Sequence, residues 1–471
     1  MAGKPQEVIP ITLTRDLARW VAGTSVDDLP ADVRQAAKAA IVDTTAAILA
    51  GASEPVTRIV AGLLAEEGAR PVADRLGAHL RTSMEGAALI NGVSGHALDY
   101  DDVSRSAIGH PSVVVFPAAL AAAQGAGASG RDLLEAYAVG VEVMTKLGRA
   151  MGTAHYRAGW HATSTLGTLA AAMAAGKVFR LDPGRLVHAL AIAVSTASGS
   201  RQNFGTMTKP FHPGHAARCG LLATLLARNG MTGDEAILEA PFGFFALFSY
   251  DEARIDGLPA ALGRPYDLTS PGINVKLYPC CYAIHRAADA VLGAVREHGI
   301  SNADVQSVEV IVPAGGLAPL IHDRPTTGLE SKFSMQYALA AAILDGRLNL
   351  ETFTDEMVRR PRVRALLSAI HLTEDSAIPV AFNPLEEGHV AVRIRLRNGD
   401  TLDRRVDHAR GSADNPLDRE ELREKFRDCA RRALPPEQVE HALAMLETLD
   451  DVRRVDDLVR ALVPAGNVGA G

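Results

Sequence analysis

The first half of the chain carries an apolar pattern typical of amphipathic helices. The clearest segment runs from Ala31 to Ala50, where apolar side chains recur at steps of three and four residues. Pro30 precedes this segment and Gly51 follows it, which are favoured residues at the two ends of a helix. The same pattern predicts helices over Thr14–Ala22, Pro55–Glu67, Ser83–Leu98, Arg131–Met151, Thr163–Phe179, Gly184–Ala197 and Pro213–Asn229.

The pattern changes after Pro265, where polar and apolar residues begin to alternate. The alternation predicts strands over Ser307–Val312, Val390–Leu396 and Thr401–Val406, and Asn398-Gly399 is typical of a hairpin turn. Helical segments are predicted between the strands and again after Asn415, over Tyr282–His298, Ser334–Leu344, Pro416–Arg432 and Pro436–Leu446. We therefore predict a mainly α protein, with a large all-helical domain (residues 1–268 and 411–471) and an inserted smaller α+β domain (residues 269–410). No exact internal repeat supports a solenoid.

Composition excludes several classes of function. The 471 residues carry a formal charge of -7, which provides no electrostatic attraction for nucleic acid. Four cysteines are too few for a disulfide framework in a chain of this length, and they favour a reducing, cytoplasmic location. The N-terminal residues lack the apolar core of a signal peptide, and no apolar run is long enough to predict a membrane span.

The stretch Asn91–Pro111 holds the most informative chemistry. Three carboxylates (Asp99, Asp101 and Asp102) follow a small-residue apolar run, and His110 comes shortly afterwards, before a proline. Where carboxylates and a histidine converge, their pKa values can be pushed apart and protons can be moved. The alternative for this stretch is a solvated acidic turn at the end of a helix.

Three later stretches add further candidate residues. Lys209 lies in a Gly/Thr-rich loop before a predicted helix from Pro213, where it can meet an anion. His161 follows Gly159-Trp160, and the segment from Lys276 to His285 contains Cys280 and Cys281. His212 and His215, taken with the two cysteines, leave a zinc site open as an alternative, although their spacing fits no common zinc motif.

Two other chemistries lack support in the sequence. Gly125–Gly130 matches a dinucleotide fingerprint formally, but it follows an Ala-rich helix and not a strand, so we interpret it as a turn between helices. No Gly-x-Ser-x-Gly elbow or Cys–His protease signature is present, so covalent acyl chemistry is not predicted.

Taken together, these stretches resemble the MmgE/PrpD family in order and spacing, over almost the whole chain. The matching motifs are Leu29-Pro30-x-x-Val33, Asn91-Gly92 with Asp99–Asp102, His110-Pro111-Ser112, Gly159-Trp160-His161, Thr208–His212, Tyr278–Cys281, Phe333-Ser334 and Gly411-Ser412-x-x-Asn415-Pro416-Leu417. The family contains 2-methylcitrate dehydratase, cis-aconitate decarboxylase and iminodisuccinate epimerase. The resemblance therefore implies a small polycarboxylate substrate, no metal or organic cofactor, a homodimer, and an α+β insertion that acts as a lid.

The resemblance also implies a set of site residues. Asp99, His110, His161 and Lys209 are the implied catalytic residues, and His285, Tyr337, Lys276 and His212 the implied substrate-binding residues. Three features depart from the decarboxylase branch: Val103 stands in place of a threonine, the loop from there to His110 is one residue longer, and Cys281 stands in place of the first of two lid histidines. The loop around Lys209 differs in turn from the dehydratase branch.

These residue types suit proton transfer at a carbon next to a carboxylate. Lys209 and His161 are the candidates for holding carboxylates and stabilising enolate charge. His110 is the candidate acid or base, and Asp99 is expected to orient its ring. We predict a cofactor-independent lyase of the decarboxylase type. The alternatives are a dehydratase, an epimerase, a zinc-dependent hydrolase and, outside enzymes, a helical scaffold.

Overall fold

The computed structural model describes residues 12–465 and consists mainly of helices. Residues 1–11 and 466–471 lie outside the described part. The prediction about a signal peptide and the two outer ends of the predicted helical domain therefore concern residues that the structure does not describe. The N-terminal helices are α1 (Leu13–Gly23), α2 (Ala31–Gly51), α3 (Pro55–Glu67), α4 (Met84–His96), α5 (Ser112–Ala126), α6 (Gly130–Met151), α7 (Ala154–Arg157), α8 (Ala162–Val178), α9 (Pro183–Val194), α10 (Thr208–Arg228), α11 (Phe244–Phe248) and α12 (Leu258–Ala261).

The later part of the chain mixes helices with a sheet. Its helices are α13 (His285–His298), α14 (Gly328–Ser331), α15 (Met335–Asp345), α16 (Asp355–Val358), α17 (Pro361–Leu367), α18 (Arg419–Ala430), α19 (Pro436–Glu447) and α20 (Val455–Leu462). The strands are β1 (Ala73–Asp74), β2 (Arg81–Thr82), β3 (Val103–Ser104), β4 (Ile273–Asn274), β5 (Val305–Pro313), β6 (Ile370–Asp375), β7 (Val390–Leu396) and β8 (Thr401–Val406).

The four longer strands form one sheet in the order β6-β5-β7-β8. The predicted hairpin joins β7 to β8 in antiparallel register, and Gly399 takes the positive φ that its turn requires. Strand β6, which the alternation pattern did not indicate, pairs in parallel with β5 at the edge of the sheet. Most of the β6 side chains are exposed, so no buried apolar face marks this strand in the sequence.

The buried side chains form two main apolar clusters. The first contains residues from Leu13 to Leu268 and again from Phe426 to Leu462, so α18–α20 return to the N-terminal helices. The second contains Phe204 and residues from Tyr278 to Leu396, and it lies between the sheet and helices such as α13 and α15. The mainly α fold is thus confirmed, and the domain boundaries at residues 268 and 410 stay a prediction.

Helix α10 differs from its predicted extent, and both α10 and α5 contain an internal proline. Helix α10 begins at Thr208 and not at Pro213, so Lys209 lies in its first turn and not in a loop. A proline costs little in a first turn, which accommodates Pro210, but Pro213 lies inside the helix and not at its predicted start. Helix α5, the Ala-rich helix expected before Gly125, likewise contains a proline in its interior, Pro117.

Helices α4 and α10 cross at a pair of glycines. A Cβ atom at Gly92 would lie 2.6 Å from the Cα atom of Gly214, and one at Gly214 would overlap the carbonyl oxygen of Leu89. The absence of both side chains lets the two backbones approach closely, and this brings the end of α4 next to the start of α10.

Within residues 12–465 no single helix is long and apolar enough to cross a bilayer, although α2 and α3, bent by 82° to each other, reach that length and composition as a pair.

We expect Gly214→Ala to destabilise the protein by about 1–3 kcal/mol, because the added methyl group forces the α4–α10 crossing apart. Thermal unfolding followed by circular dichroism measures this change. Gly62→Ala is the matched control, because Gly62 lies on α3 with no atom within 4 Å of an added Cβ. Equal melting temperatures for the two variants would contradict the close crossing.

Candidate active site

The turn that follows α4 carries Asp99 into a buried cavity. Asp99 adopts a left-handed backbone conformation (φ 53°), which aspartate tolerates better than most residues. Its Oδ1 atom lies 2.6 Å from the Nζ atom of Lys209 and 3.1 Å from that of Lys276. Burial alone would raise the pKa of Asp99, but the two ammonium groups hold it well below its ordinary value. The carboxylate is therefore ionised and shared by two lysines.

The two lysines arrive from distant parts of the chain. Lys209 is placed by the glycine crossing of α4 and α10. Lys276 is placed by the short antiparallel pair of β3 and β4, in which Val103 lies opposite Asn274. Lys276 is fully buried and also donates to the backbone carbonyl of Asp99 at 2.7 Å. Its pKa is raised because the nearby carboxylates outweigh the cost of burial.

His110 lines the same cavity and is held by its Nδ1 atom. This atom lies 2.8 Å from the backbone carbonyl of Asp102 and 3.2 Å from the Oδ2 atom of Asp101. Both neighbours are acceptors, so Nδ1 carries the proton and Nε2 remains for a ligand. Burial lowers the pKa of His110, and the Asp101 carboxylate opposes this effect.

The carboxylate behind His110 is Asp101 and not Asp99, which corrects the predicted role of Asp99 in orienting the ring. Asp101 is fully buried and also accepts from Nδ1 of His96 at 2.8 Å. Burial would raise the pKa of Asp101, but the His96 and His110 rings hold it well below its ordinary value. The prediction failed because three carboxylates occur within four positions, and the turn conformation decides which of them faces which partner.

His161 and His212 form a buried pair at one side of the cavity. Their Nδ1 atoms lie 2.9 Å apart, so one ring donates and the other accepts, and only one of the two atoms can carry a proton. Burial lowers the pKa of His161 well below its ordinary value and lowers that of His212 to about 4. His161 lines the cavity, whereas His212 lies behind it and orients its ring.

Three of the implied substrate-binding residues do not line the cavity: His212, which lies behind His161, and also Tyr337 and His285. Tyr337 lies in the second apolar cluster, where its hydroxyl donates to the carbonyl of Thr352 at 2.5 Å. His285 is fully buried between the rings of Tyr278 and Tyr282, 5.1 and 4.9 Å away between ring centroids. Burial lowers the pKa of His285 to about 3, so its ring is neutral. Their roles were inferred from motif order alone, which does not show where a side chain points.

The cavity has a volume of about 40 Å³ and includes residues that were not among the predicted site residues. Apart from Asp99, His110, His161, Lys209 and Lys276, its walls include Tyr156, Phe204, Cys281, Tyr282, Phe333, Asn383 and Glu386. Burial raises the pKa of Glu386 to about 7, although Arg105 and Asn274 contact its carboxylate. Glu386 follows Asn383-Pro384-Leu385, a sequence that resembles an ordinary loop, so no local signal marked it.

The zinc alternative is not supported by the described residues. His212 faces His161, and His215 lies 3.5 Å from the sulfur atom of Cys219, so the proposed set with Cys280 and Cys281 does not assemble. In residues 12–465 the one group with the spacing of metal ligands is His96, Asp99, Asp101 and His110. Two ammonium groups already contact Asp99, and their charge disfavours a divalent cation there.

We expect Asp101→Asn to lower the pKa of His110 further, because the variant removes the carboxylate that favours the imidazolium form. NMR titration of the histidine ring carbons measures this value, and a His110→Gln spectrum assigns the signal. Asp403→Asn, on the exposed strand β8, is the control and should leave the signal unchanged. A pKa for His110 that rises or stays constant in Asp101→Asn would contradict the assigned contact.

Two family models and several known proteins match most of this chain. The model of the MmgE/PrpD N-terminal domain matches residues 15–255, and that of the C-terminal domain matches residues 278–451. The chain is similar to cis-aconitate decarboxylase of Mus musculus, with 33% identity over 80% of this chain and 78% of the relative. The chain is also 30% identical to the Homo sapiens enzyme of that name, over 94% of this chain and 92% of the relative. A 2-methylcitrate dehydratase of Cupriavidus necator is 27% identical over 52% of this chain and 51% of the relative. The resemblance seen in the ordered motifs is confirmed, and the chain belongs to the MmgE/PrpD family.

Proposed function

We propose that this protein is a lyase that decarboxylates a small unsaturated tricarboxylate of the cis-aconitate type. The observation that carries the proposal is a buried cavity in which two lysine ammonium groups share one carboxylate beside a histidine with a free Nε2 atom. Similarity to decarboxylases over most of the chain supports this choice over other small anions.

Charge accounts for binding of the substrate. Lys209 and Lys276 carry two positive charges against the single carboxylate of Asp99, so the lysine–carboxylate group has a net charge of +1. His161 is neutral, because burial lowers its pKa. Its Nδ1 atom is hydrogen-bonded to His212, so its Nε2 atom is available to a ligand oxygen. A buried, preorganised cationic group of this kind stabilises negative charge more strongly than water does.

The residues present suit the proton step of the reaction. In cis-aconitate, breakage of the bond between the methylene carbon and its carboxylate releases CO₂. The electron pair forms a new C=C bond to the central carbon. The π electron pair of the former C=C bond moves to the carbon next to a remaining carboxylate, and that carbon takes up one proton. His110 donates that proton from Nε2, since the charge of a bound polyanion raises the pKa of the ring, and Lys209 stabilises the carboxylate over which the negative charge spreads.

Dehydration is the second candidate, and one observation favours it. The pKa of His110 is lowered in the free protein, and a neutral imidazole is the form that abstracts a proton from carbon. A 2-methylcitrate-type substrate would lose that proton and then hydroxide. An epimerase of the iminodisuccinate type would need the same base and a later reprotonation, so it stays an alternative within the family.

Further parts of the proposal follow from the family resemblance. The segment with the four-stranded sheet acts as a lid over the cavity, since Asn383 and Glu386 from this segment form part of the wall. The protein works without a metal or organic cofactor, forms a homodimer and is cytoplasmic. Gel filtration with light scattering tests the dimer, and full activity after dialysis against EDTA tests the absence of a metal requirement.

Product analysis in deuterated water distinguishes the reactions. EDTA-treated protein is incubated with cis-aconitate, 2-methylcitrate or iminodisuccinate, and the products are measured by mass spectrometry. We expect cis-aconitate to lose CO₂ and to gain one deuterium that does not exchange with solvent. Loss of water from 2-methylcitrate would select the dehydratase. Exchange in iminodisuccinate without mass loss would select the epimerase, and activity restored only by zinc would support the hydrolase.

We expect His110→Gln to lower kcat by roughly 100- to 10,000-fold, the usual contribution of a positioned acid or base. His371→Gln is the matched control, because His371 is an exposed residue of β6 outside the cavity. Circular dichroism spectra check that both variants fold. Activity of His110→Gln equal to that of the control would show that His110 takes no part in the reaction.

The pH dependence of kcat/KM separates an acid from a base at His110. The pKa of His110 in the free protein lies below its ordinary value of 6.5, so the imidazolium form is lost as pH rises through that lowered value. A decarboxylase that requires imidazolium therefore loses kcat/KM as pH rises through this range, and a dehydratase that requires imidazole gains it. In Asp101→Asn the same limb should move to lower pH.

A further inference from the structure

A second, larger cavity adjoins the first. It has a volume of about 510 Å³ and shares four wall residues with the inner cavity: Ile108, Tyr156, Asn383 and Leu385. The inner cavity, with about 40 Å³, has room for only a few water molecules. A tricarboxylate therefore fits the outer cavity as it stands and enters the inner one after a rearrangement of the shared wall.

The outer cavity is lined by positive charge. Arg157 and Arg201 form part of its wall, and no carboxylate is among the described residues that line it. The rest of the wall is largely apolar, with side chains such as Val380, Phe382 and Leu385. Apolar walls exclude water, so they strengthen the field of a charge within the cavity.

Arg201 is held by two backbone carbonyls and an aromatic ring. Its Nη1 atom donates to the carbonyl of Tyr156 at 2.7 Å, and its Nη2 atom donates to that of Ala318 at 3.0 Å. The guanidinium also lies over the Tyr156 ring, 3.7 Å from the ring centroid. Within residues 12–465 Arg201 forms no salt bridge, whereas Arg157 is paired with Glu252. The positive charge of Arg201 is therefore not neutralised by a neighbouring acid.

We propose that the outer cavity is a second binding site, which captures small polycarboxylates before they enter the inner cavity, and that Arg201 is its main recognition residue. The proposal rests on the proposed function for the identity of the ligand. Tyr156 links the two sites, because its ring contacts Arg201 and lines both cavities. Electrostatic capture of this kind raises association rates and weakens as the salt concentration increases.

Kinetics of charge variants test the capture. We expect Arg201→Gln to raise KM about 10-fold, with a smaller change in kcat and a weaker dependence of kcat/KM on salt. Arg157→Gln should raise KM less, because Glu252 already offsets that charge. Arg347→Gln is the control, since Arg347 is exposed and lies outside both cavities. KM and salt dependence of Arg201→Gln equal to those of the control would overturn the proposal.

Arg201 also has a structural role, because it donates hydrogen bonds to two backbone carbonyls. A second variant is needed to separate the effect of its charge from the effect of these bonds. Arg201→Lys keeps the charge but cannot make both bonds with the same geometry. We expect Arg201→Lys to restore most of the affinity lost in Arg201→Gln. If both variants raise KM equally and lower the melting temperature equally, Arg201 only joins Tyr156 to Ala318, and the capture proposal fails.

Binding of an unreactive ligand keeps the test independent of turnover. Propane-1,2,3-tricarboxylate is titrated calorimetrically into the wild-type protein, Arg201→Gln and Arg347→Gln. We expect Arg201→Gln alone to weaken binding. If no polycarboxylate is turned over but this dependence remains, the proposed function fails and the capture site stands. If turnover occurs and neither KM nor tricarboxylate binding depends on Arg201, the capture site fails and the proposed function stands.

Discussion

Three buried lysines hold the turn that follows α4, and the rest of the structure is arranged around this contact. The backbone carbonyls of Leu98, Asp99 and Tyr100 accept from Lys332, Lys276 and Lys425 at 2.8, 2.7 and 3.0 Å. Carbonyls at the end of a helix carry partial negative charge, so they are suitable partners for ammonium groups. Each lysine comes from a different region: Lys332 from the second apolar cluster region, Lys276 from the segment after β4, and Lys425 from α18. The turn thus joins the N-terminal helices to both later parts of the chain.

The same turn also holds the charged groups of the site in place. Lys276 contacts both the backbone and the carboxylate of Asp99, and Lys209 completes the group from α10. Removal of one partner from such a buried set leaves an uncompensated charge, which typically costs about 3–5 kcal/mol. The charges proposed to bind substrate are therefore also charges that hold the fold together. Preorganised charges of this kind stabilise a transition state without a cost of reorientation at the moment of reaction.

Much of the fold and part of the site could be predicted from local sequence. Helical periodicity and strand alternation depend on neighbouring residues, so segments such as Pro55–Glu67 and Val390–Leu396 match the structure closely. Asp99, His110, His161 and Lys209 were identified because each lies in a short motif, and the structure brings all four to one cavity. Asp101 was named among the three carboxylates of the first motif, and His96 belongs to the same stretch, but their spacing did not show that they face each other.

The sequence by itself determined the elements, the family and the residue types available for chemistry. Only the tertiary structure decided that Asp101 holds His110, that Asp99 binds two lysines, and that Tyr337 and His285 stay outside the cavity. The physical reason is distance along the chain. Lys209 and Lys276 are separated from Asp99 by 110 and 177 positions, and such contacts depend on helix crossings and strand pairs that no local pattern encodes.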